Sequence, residues 1–220
     1  MAIIKKRDVL LGEIKGTVGP VVVTNVRNVK VMKSRPVPKV SRKQRKKEAE
    51  PAPQKVKLGL MSTFISSAKQ LVNIGFNKRK NVHAAFQSAV KYNLANAITG
   101  TGPDFEINYP KIVISQGSRE MAWSSRIISE KTDTVTISWE IPDTVRLREI
   151  GNDSTYILCY DVSSGRAVIS AACAPRSALS YTRKLTAGSS GHLLHAYIFF
   201  VSPDQKSVSR SDYVGSIVLP

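Results

Sequence analysis

Thr134-Val-Thr-Ile-Ser-Trp-Glu140 decides the reading of the C-terminal half of this chain. Apolar and polar residues alternate strictly, so Val135, Ile137 and Trp139 fall on one face and the hydroxyls on the other. A helix would scatter the same side chains around its axis. The pattern predicts a half-buried β-strand with Trp139 in a core.

Moving outward, the period of two holds from Phe105 to the end. Lys111–Gln116, Thr134–Glu140, Thr155–Val162, Ala167–Ala172, Tyr181–Thr186, His192–Ser202 and Tyr213–Leu219 read as strands, with Gly, Ser, Asp and Pro between them. Tyr197 falls on a late strand. Seven short strands at this spacing predict an antiparallel sandwich of the immunoglobulin or fibronectin type III kind over 105–220.

Upstream the period changes. Met61, Phe64, Ile65, Ala68, Leu71 and Val72 recur at three- and four-residue spacing, as do Val82, Ala85, Phe86, Ala89, Val90, Leu94 and Ile98. Each set is one apolar helical face. Gly75 breaks the first helix, Lys78-Arg79-Lys80-Asn81 turns the chain, and Gly100-Thr-Gly-Pro103 stops the second. Residues 58–104 therefore read as an amphipathic αα-hairpin. Residues 33–57 carry Arg35-Pro-Val-Pro38, Pro51-Ala-Pro53 and a run of cations but no aromatic residue, and read as a tether. Before it, Val21–Thr24 and Val29–Met32 flank the turn residues Asn25–Asn28, a short β-hairpin of marginal stability alone. Glycines at 12, 16 and 19 exclude a stable helix there. The class is thus α+β: a basic arm with a short hairpin (1–57), a helical hairpin (58–104) and a sandwich (105–220).

Charge is divided as sharply as period. Residues 1–100 hold 21 lysines and arginines against four acids (Asp8, Glu13, Glu48, Glu50), which accounts for the whole net charge of +17. Residues 101–220 hold 12 of each and balance to zero. A one-signed front half points to a polyanion partner. Arg42, Lys43, Arg45, Lys46 and Lys47 form its densest run. Lys5, Lys6, Arg7, Lys30, Lys33, Arg35 and Lys39 extend it, and Lys78, Arg79 and Lys80 offer a second contact at the helix-hairpin tip. No aromatic residue interleaves with the run, so phosphate contacts to DNA or RNA are expected rather than base stacking, with strong salt dependence and little specificity. The second helix carries Lys91 as its only cation and would read a major groove poorly.

Other chemistry finds little support. Gly16-Thr-Val-Gly19-Pro20 lacks the Lys-Ser/Thr of a phosphate loop. There is no Gly-x-Ser-x-Gly and no His-Glu-x-x-His, so no catalytic residue is assigned and the protein reads as a non-enzyme. His83, His192 and His195 have no cysteine or paired carboxylate nearby, and no metal or other cofactor is expected. Cys159 and Cys173 read as small buried hydrophobes. Asn152-Asp-Ser154 fits a glycosylation triplet that a chain without an export signal would not use. The apolar run Leu193–Val201 is far short of a membrane span. These features place the chain in the cytoplasm, or in a virion if it derives from a phage.

Several stretches together resemble a family of uncharacterised proteins encoded, often in multiple copies, by Bacteroidota. They are Gly16-Thr-Val-Gly19-Pro-Val-Val, Lys33-Ser-Arg35-Pro36, Leu71-Val-Asn-Ile-Gly75-Phe76, Ala89-Val-Lys-Tyr-Asn93-Leu-Ala-Asn-Ala97-Ile-Thr-Gly100-Thr-Gly-Pro103-Asp104-Phe105, Ala196-Tyr197-Ile-Phe-Phe200-Val-Ser202 and Val208-Ser-Arg-Ser211-Asp-Tyr213-Val-Gly215. The chain departs where that family has a Trp-Lys-Gly element, replaced by Asn25-Val-Arg-Asn28, and where a Gln-x-x-Gln-Arg pattern precedes the first helix. The resemblance supports the architecture and carries over no catalytic residue. Two functions fit. One is a structural protein that binds nucleic acid through its arm, self-associating or assembling as in a virion or prophage particle. The other is a protein-interaction or cell-surface adhesion module acting through the sandwich.

Overall fold

A computed structural model describes residues 2–4, 16–26, 29–35, 53–76, 82–102, 104–131, 133–142, 150–185 and 188–220. The chain divides into two compact units, Met1–Glu50 and Pro51–Pro220.

In the first unit the expected hairpin forms. β3 (Val21–Val26) pairs antiparallel with β4 (Val29–Ser34), and Val26 faces Val29 across the turn. The hairpin is not alone: β1 (Ala2–Ile4) adds to β4 and β2 (Gly16–Val18) to β3, giving the order β1-β4-β3-β2. Gly19, at φ 59°, makes the tight β2–β3 turn, a left-handed position that favours glycine. Two added strands supply the pairing that an isolated hairpin lacks. The turn residues Arg27 and Asn28 lie outside the described residues.

The second unit has three layers. Its middle layer is a sheet of order β10-β9-β12-β13, formed by Arg166–Ser170 (β10), Ser154–Asp161 (β9), Leu193–Val201 (β12) and Asp212–Val218 (β13). A second sheet, β11-β8-β7, lies against one face: Ser180–Lys184 (β11), Thr134–Glu140 (β8) and Trp123–Lys131 (β7). All ladders are antiparallel. Val135, Ile137, Trp139, Ile157, Ala196, Ile198 and Phe200 fill the space between the sheets. The other face of the middle sheet carries Tyr156, Leu158, Tyr160, Tyr197, Phe199 and Val201, packed under the helices. Burial on both faces explains why Leu193–Val201 reads as one apolar run instead of alternating.

The roof is α1 (Pro53–Ser67), α2 (Lys69–Gly75) and α3 (Val82–Asn96). The apolar stripes read from sequence face inward, with Met61, Phe64, Ile65, Ala68, Leu71, Val72, Ala85 and Ala89 buried. Two expectations need correction. α1 begins at Pro53, inside the stretch read as tether, because proline suits the first helical position, where its missing N–H costs nothing. The first helix also breaks at Ala68, where the Ser67 hydroxyl donates to the Phe64 carbonyl (2.7 Å) in place of a regular turn. Helices and sandwich, given separate ranges above, lie in one compact unit.

Three strand assignments also change. Gly100-Thr-Gly-Pro103 ends α3 but then turns a hairpin, β5 (Ile98–Thr101) with β6 (Asp104–Ile107). Lys111–Gln116 is not a strand. A 3-10 turn at Tyr109–Lys111 leads into an extended segment whose polar partners are largely side chains. Asn93 bridges Val113, donating to its carbonyl (2.7 Å) and accepting from its N–H (2.8 Å), while Ser211 Oγ accepts from the Ile114 N–H (2.9 Å). β7 escaped the reading because its register shifts between Trp123 and Arg126 and again between Ile128 and Lys131, and bulges erase a strict period of two.

Gly75, Asn93 and Ser211, all in the resembling stretches, therefore pin this segment between roof and sheet. A Cβ on Gly75 would come within 2.5 Å of the Ile114 carbonyl oxygen, so only glycine allows that approach.

Candidate interaction surface

The face of β11-β8-β7 turned away from the core is uncovered by the described residues of its unit, and it is built by strand alternation and register. With Val135, Ile137 and Trp139 pointing inward, Thr134, Thr136, Ser138 and Glu140 point out. Their neighbours across the ladders complete four rows: Lys184, Thr134 and Lys131; Thr182, Thr136 and Ile128; Ser180, Ser138 and Arg126; then Glu140 beside Trp123. Thr136 and Thr182 join hydroxyls at 2.9 Å across the centre. Trp123 and Ile128 on this face are each 49% exposed, and Leu179, in the turn just before β11, is 45% exposed.

The Trp123 end is held by buried charge. Asp153, fully buried, takes two hydrogen bonds from Arg119, both 2.6 Å, and has the Arg176 guanidinium at 3.8 Å. Arg176, also fully buried, donates to the Glu120 carbonyl (2.9 Å) and the Met121 carbonyl (2.6 Å), and lies 4.2 Å above the Phe200 ring. Burial pulls the Arg176 pKa down while Asp153 opposes the shift. The hydrogen bonds to Asp153 raise Arg119 despite its partial burial. The pair of guanidinium groups thus fixes the backbone that leads into β7. Trp123 Nε1 then donates to Glu120 Oε1 at 3.0 Å, and Ser124 adopts φ 44°, an uncommon setting for a residue with a side chain. Leu179 has φ 59° on the opposite edge.

Titratable groups elsewhere are engaged in the fold. His195 lies under the roof, stacked 4.1 Å from the Tyr109 ring, its Nδ1 2.8 Å from the Tyr213 hydroxyl; burial pushes its pKa down. Burial also pushes Tyr197 up. Burial acts to raise Asp161, but hydrogen bonds from Ser164 Oγ, His192 Nδ1 and the N–H groups of Ser163 and Ser164 prevail and hold it low. Cys159 and Cys173 are free thiols, pushed by burial up to about 12 and about 11, which keeps both protonated. A cleft of about 370 Å³ beside Gly117 is lined by Gln116, Ser118, Gln205, Ser207 and Lys206 among others. Among the described residues no three His, Cys, Asp or Glu gather as metal ligands, and no helix is long and apolar enough to cross a membrane.

Of the basic residues read as phosphate contacts, Lys33 and Arg35 are exposed, at the end of β4 and just beyond it, and Lys30 lies within β4 opposite Asn25 and Ile4. Lys5, Lys6, Arg7, Lys39, Arg42, Lys43, Arg45, Lys46, Lys47, Lys78, Arg79 and Lys80 lie outside the described residues. The reading of sequence missed Trp123 and Ile128 as surface residues, since nothing in an apolar residue's local pattern marks it as exposed when its strand is bulged.

Fold and surface together define a helix-roofed antiparallel β-sandwich whose three-stranded sheet has an open outer face among the described residues of its unit, with a small basic β-sheet unit earlier in the chain. The chain belongs to a family of unknown function, DUF6266, whose profile matches residues 13–215. A search of curated proteins finds no match. Solved structures similar to it include the twitchin kinase region from C. elegans (TM-score 0.35, 16% identity, 46% of this chain and 16% of that one). The FN1–FN3 domains of chicken CNTN1 match with TM-score 0.36 and 9% identity over 47% of this chain and 32% of theirs. The FN5 domain of Drosophila Lar matches with TM-score 0.31 and 11% identity over 47% of this chain and 98% of its own. The chain thus spans less than a third of the twitchin and CNTN1 chains.

Proposed function

We propose that this protein is a non-enzymatic protein-interaction module that works through the open face of its sandwich. One observation carries the reading. Of the two outer sheet faces, one is sealed by helices and the other is left uncovered by the described residues of its unit, with Trp123 and Ile128 half-exposed upon it. Aromatic and aliphatic side chains set in a hydroxyl-rich sheet face are suited to a protein partner, with anchors surrounded by adaptable polar contacts. The Asp153 clasp supports the same reading, since buried charge is a costly way to hold a surface loop unless its position matters. The test is a photo-crosslinking residue at Thr182, in the middle of the face, introduced into the protein in its native cells. A discrete protein adduct is expected, and none from a crosslinker at exposed Lys91 on α3. Equal labelling at both sites, or none at Thr182, removes the face from the model.

A second reading rests on a separate observation, the confinement of the net positive charge to residues 1–100. In it the first unit binds DNA or RNA by phosphate contacts, as a component of an assembly. Replacing Arg42, Lys43, Arg45, Lys46 and Lys47 by alanine should weaken binding to any sequence and flatten its salt dependence. Unchanged affinity would exclude the run as the contact.

A further inference from the structure

We infer that the partner of the open face is the same face of a second copy of this chain, laid across it with strands antiparallel; the inference rests on the reading of that face as an interaction surface. Apart from Arg126, which stands in the row next to Glu140, the charges on the face are segregated by row. Lys131 and Lys184 flank Thr134 at one end. Glu140 and Glu120 stand at the other, with Trp123 between β8 and the Glu120 carboxylate. The rows between them carry hydroxyls, Ile128 and Arg126. Such a face is complementary to itself in one orientation only.

When two copies face each other about a two-fold axis in the interface and perpendicular to the strands, each end of one meets the opposite end of the other. Lys131 and Lys184 of the first copy then oppose Glu120 and Glu140 of the second, and the symmetry repeats the contact. Lys131 also reaches the half-exposed Trp123 ring of the other copy, which can receive a cation on its face. The hydroxyl rows of Thr136, Thr182, Ser138 and Ser180 meet at the centre. With the strands parallel instead, lysine would oppose lysine and glutamate would oppose glutamate.

Edge-to-edge growth is a poorer alternative. β7 is an edge strand whose two register shifts bend it, and bulged edges resist pairing with another chain. Face-to-face stacking uses side chains and tolerates the bulges. A pairing governed by surface charges of this kind weakens as salt rises.

The experiment is a charge swap in the full chain. The wild type, Lys131→Glu with Lys184→Glu, Glu120→Lys with Glu140→Lys, and an equimolar mixture of the two variants are compared by sedimentation velocity at low and high salt. All four substitutions lie on exposed side chains, so circular dichroism should be unchanged. The expected result is a salt-sensitive wild-type dimer, two variants that are each monomeric, and a dimer restored on mixing. A dimer that both variants retain, or a mixture that stays monomeric, overturns the pairing. A monomeric wild type at all salts also overturns it. If the crosslinker at Thr182 then still captures a different protein, the interaction reading survives and only the second copy is rejected; if it captures nothing, both fall.

Discussion

The two outer faces of the sandwich have opposite fates. The outer face of β9 and β12 is paved with Tyr156, Leu158, Tyr160, Tyr197 and Phe199, and three helices cover it. The outer face of β8 and β11 is paved with Thr134, Thr136, Ser138, Ser180 and Thr182, and nothing among the described residues of the same unit covers it. Both are faces of antiparallel sheets with the same pleat. Their side chains alone differ, so the roof follows from apolar area that had to leave water. Exposed hydroxyls exert no such demand and leave a sheet face free for other use.

Phe64 is the centre of the roofed face, 4.7 Å from the Tyr160 ring and edge-on to Tyr109 and Tyr197. Phe64→Ala should cost about 3–5 kcal/mol, the range for truncating a buried aromatic residue. Urea unfolding would show it as a large fall in midpoint, and a loss below about 1 kcal/mol would mean the roof is only loosely docked.

A smaller, pH-dependent effect should come from His195, under the same roof. Its folded pKa lies below the ordinary value of 6.5 because burial disfavours the cation. Below about pH 6.5 the unfolded chain takes up a proton that the folded chain refuses, so stability falls as the pH drops through that region until the folded pKa is reached. His195→Gln should remove this part of the slope in a comparison of unfolding midpoints between pH 7.5 and 5. An identical slope in both proteins would assign it to other groups.

The smallest effect belongs to the open face. Thr136→Val loses the hydroxyl pair with Thr182 but lies where water can replace it. A change within about 0.5 kcal/mol in the same unfolding experiment is expected. A loss comparable with that of Phe64→Ala would mean that the two faces do not differ as described.

Much of this was legible residue by residue. The alternation in Thr134–Glu140 placed Trp139 in the core, where it sits 2% exposed. The three- and four-residue spacings named the helix faces that pack. Strand ends elsewhere fell within a residue or two, because Gly, Asp and Ser punctuate the turns. The surface was less legible. β7 hides behind two bulges, and the positions of Glu120 and Trp123 depend on Arg119 and Arg176 meeting Asp153, groups far apart in sequence. Local patterning holds no record of such a meeting.

Sequence by itself determined the period of each segment, and hence which side chains had to be buried, as well as the confinement of the net positive charge to the first hundred residues. Those are local properties of residue type and order. Only the tertiary structure decided that Leu193–Val201 would be covered on both sides, that Ile112–Ser115 would lie between roof and sheet without a strand partner, and that one sheet face would stay open. Each depends on which surfaces meet, and the same apolar run is satisfied by one covering layer or by two until the chain folds.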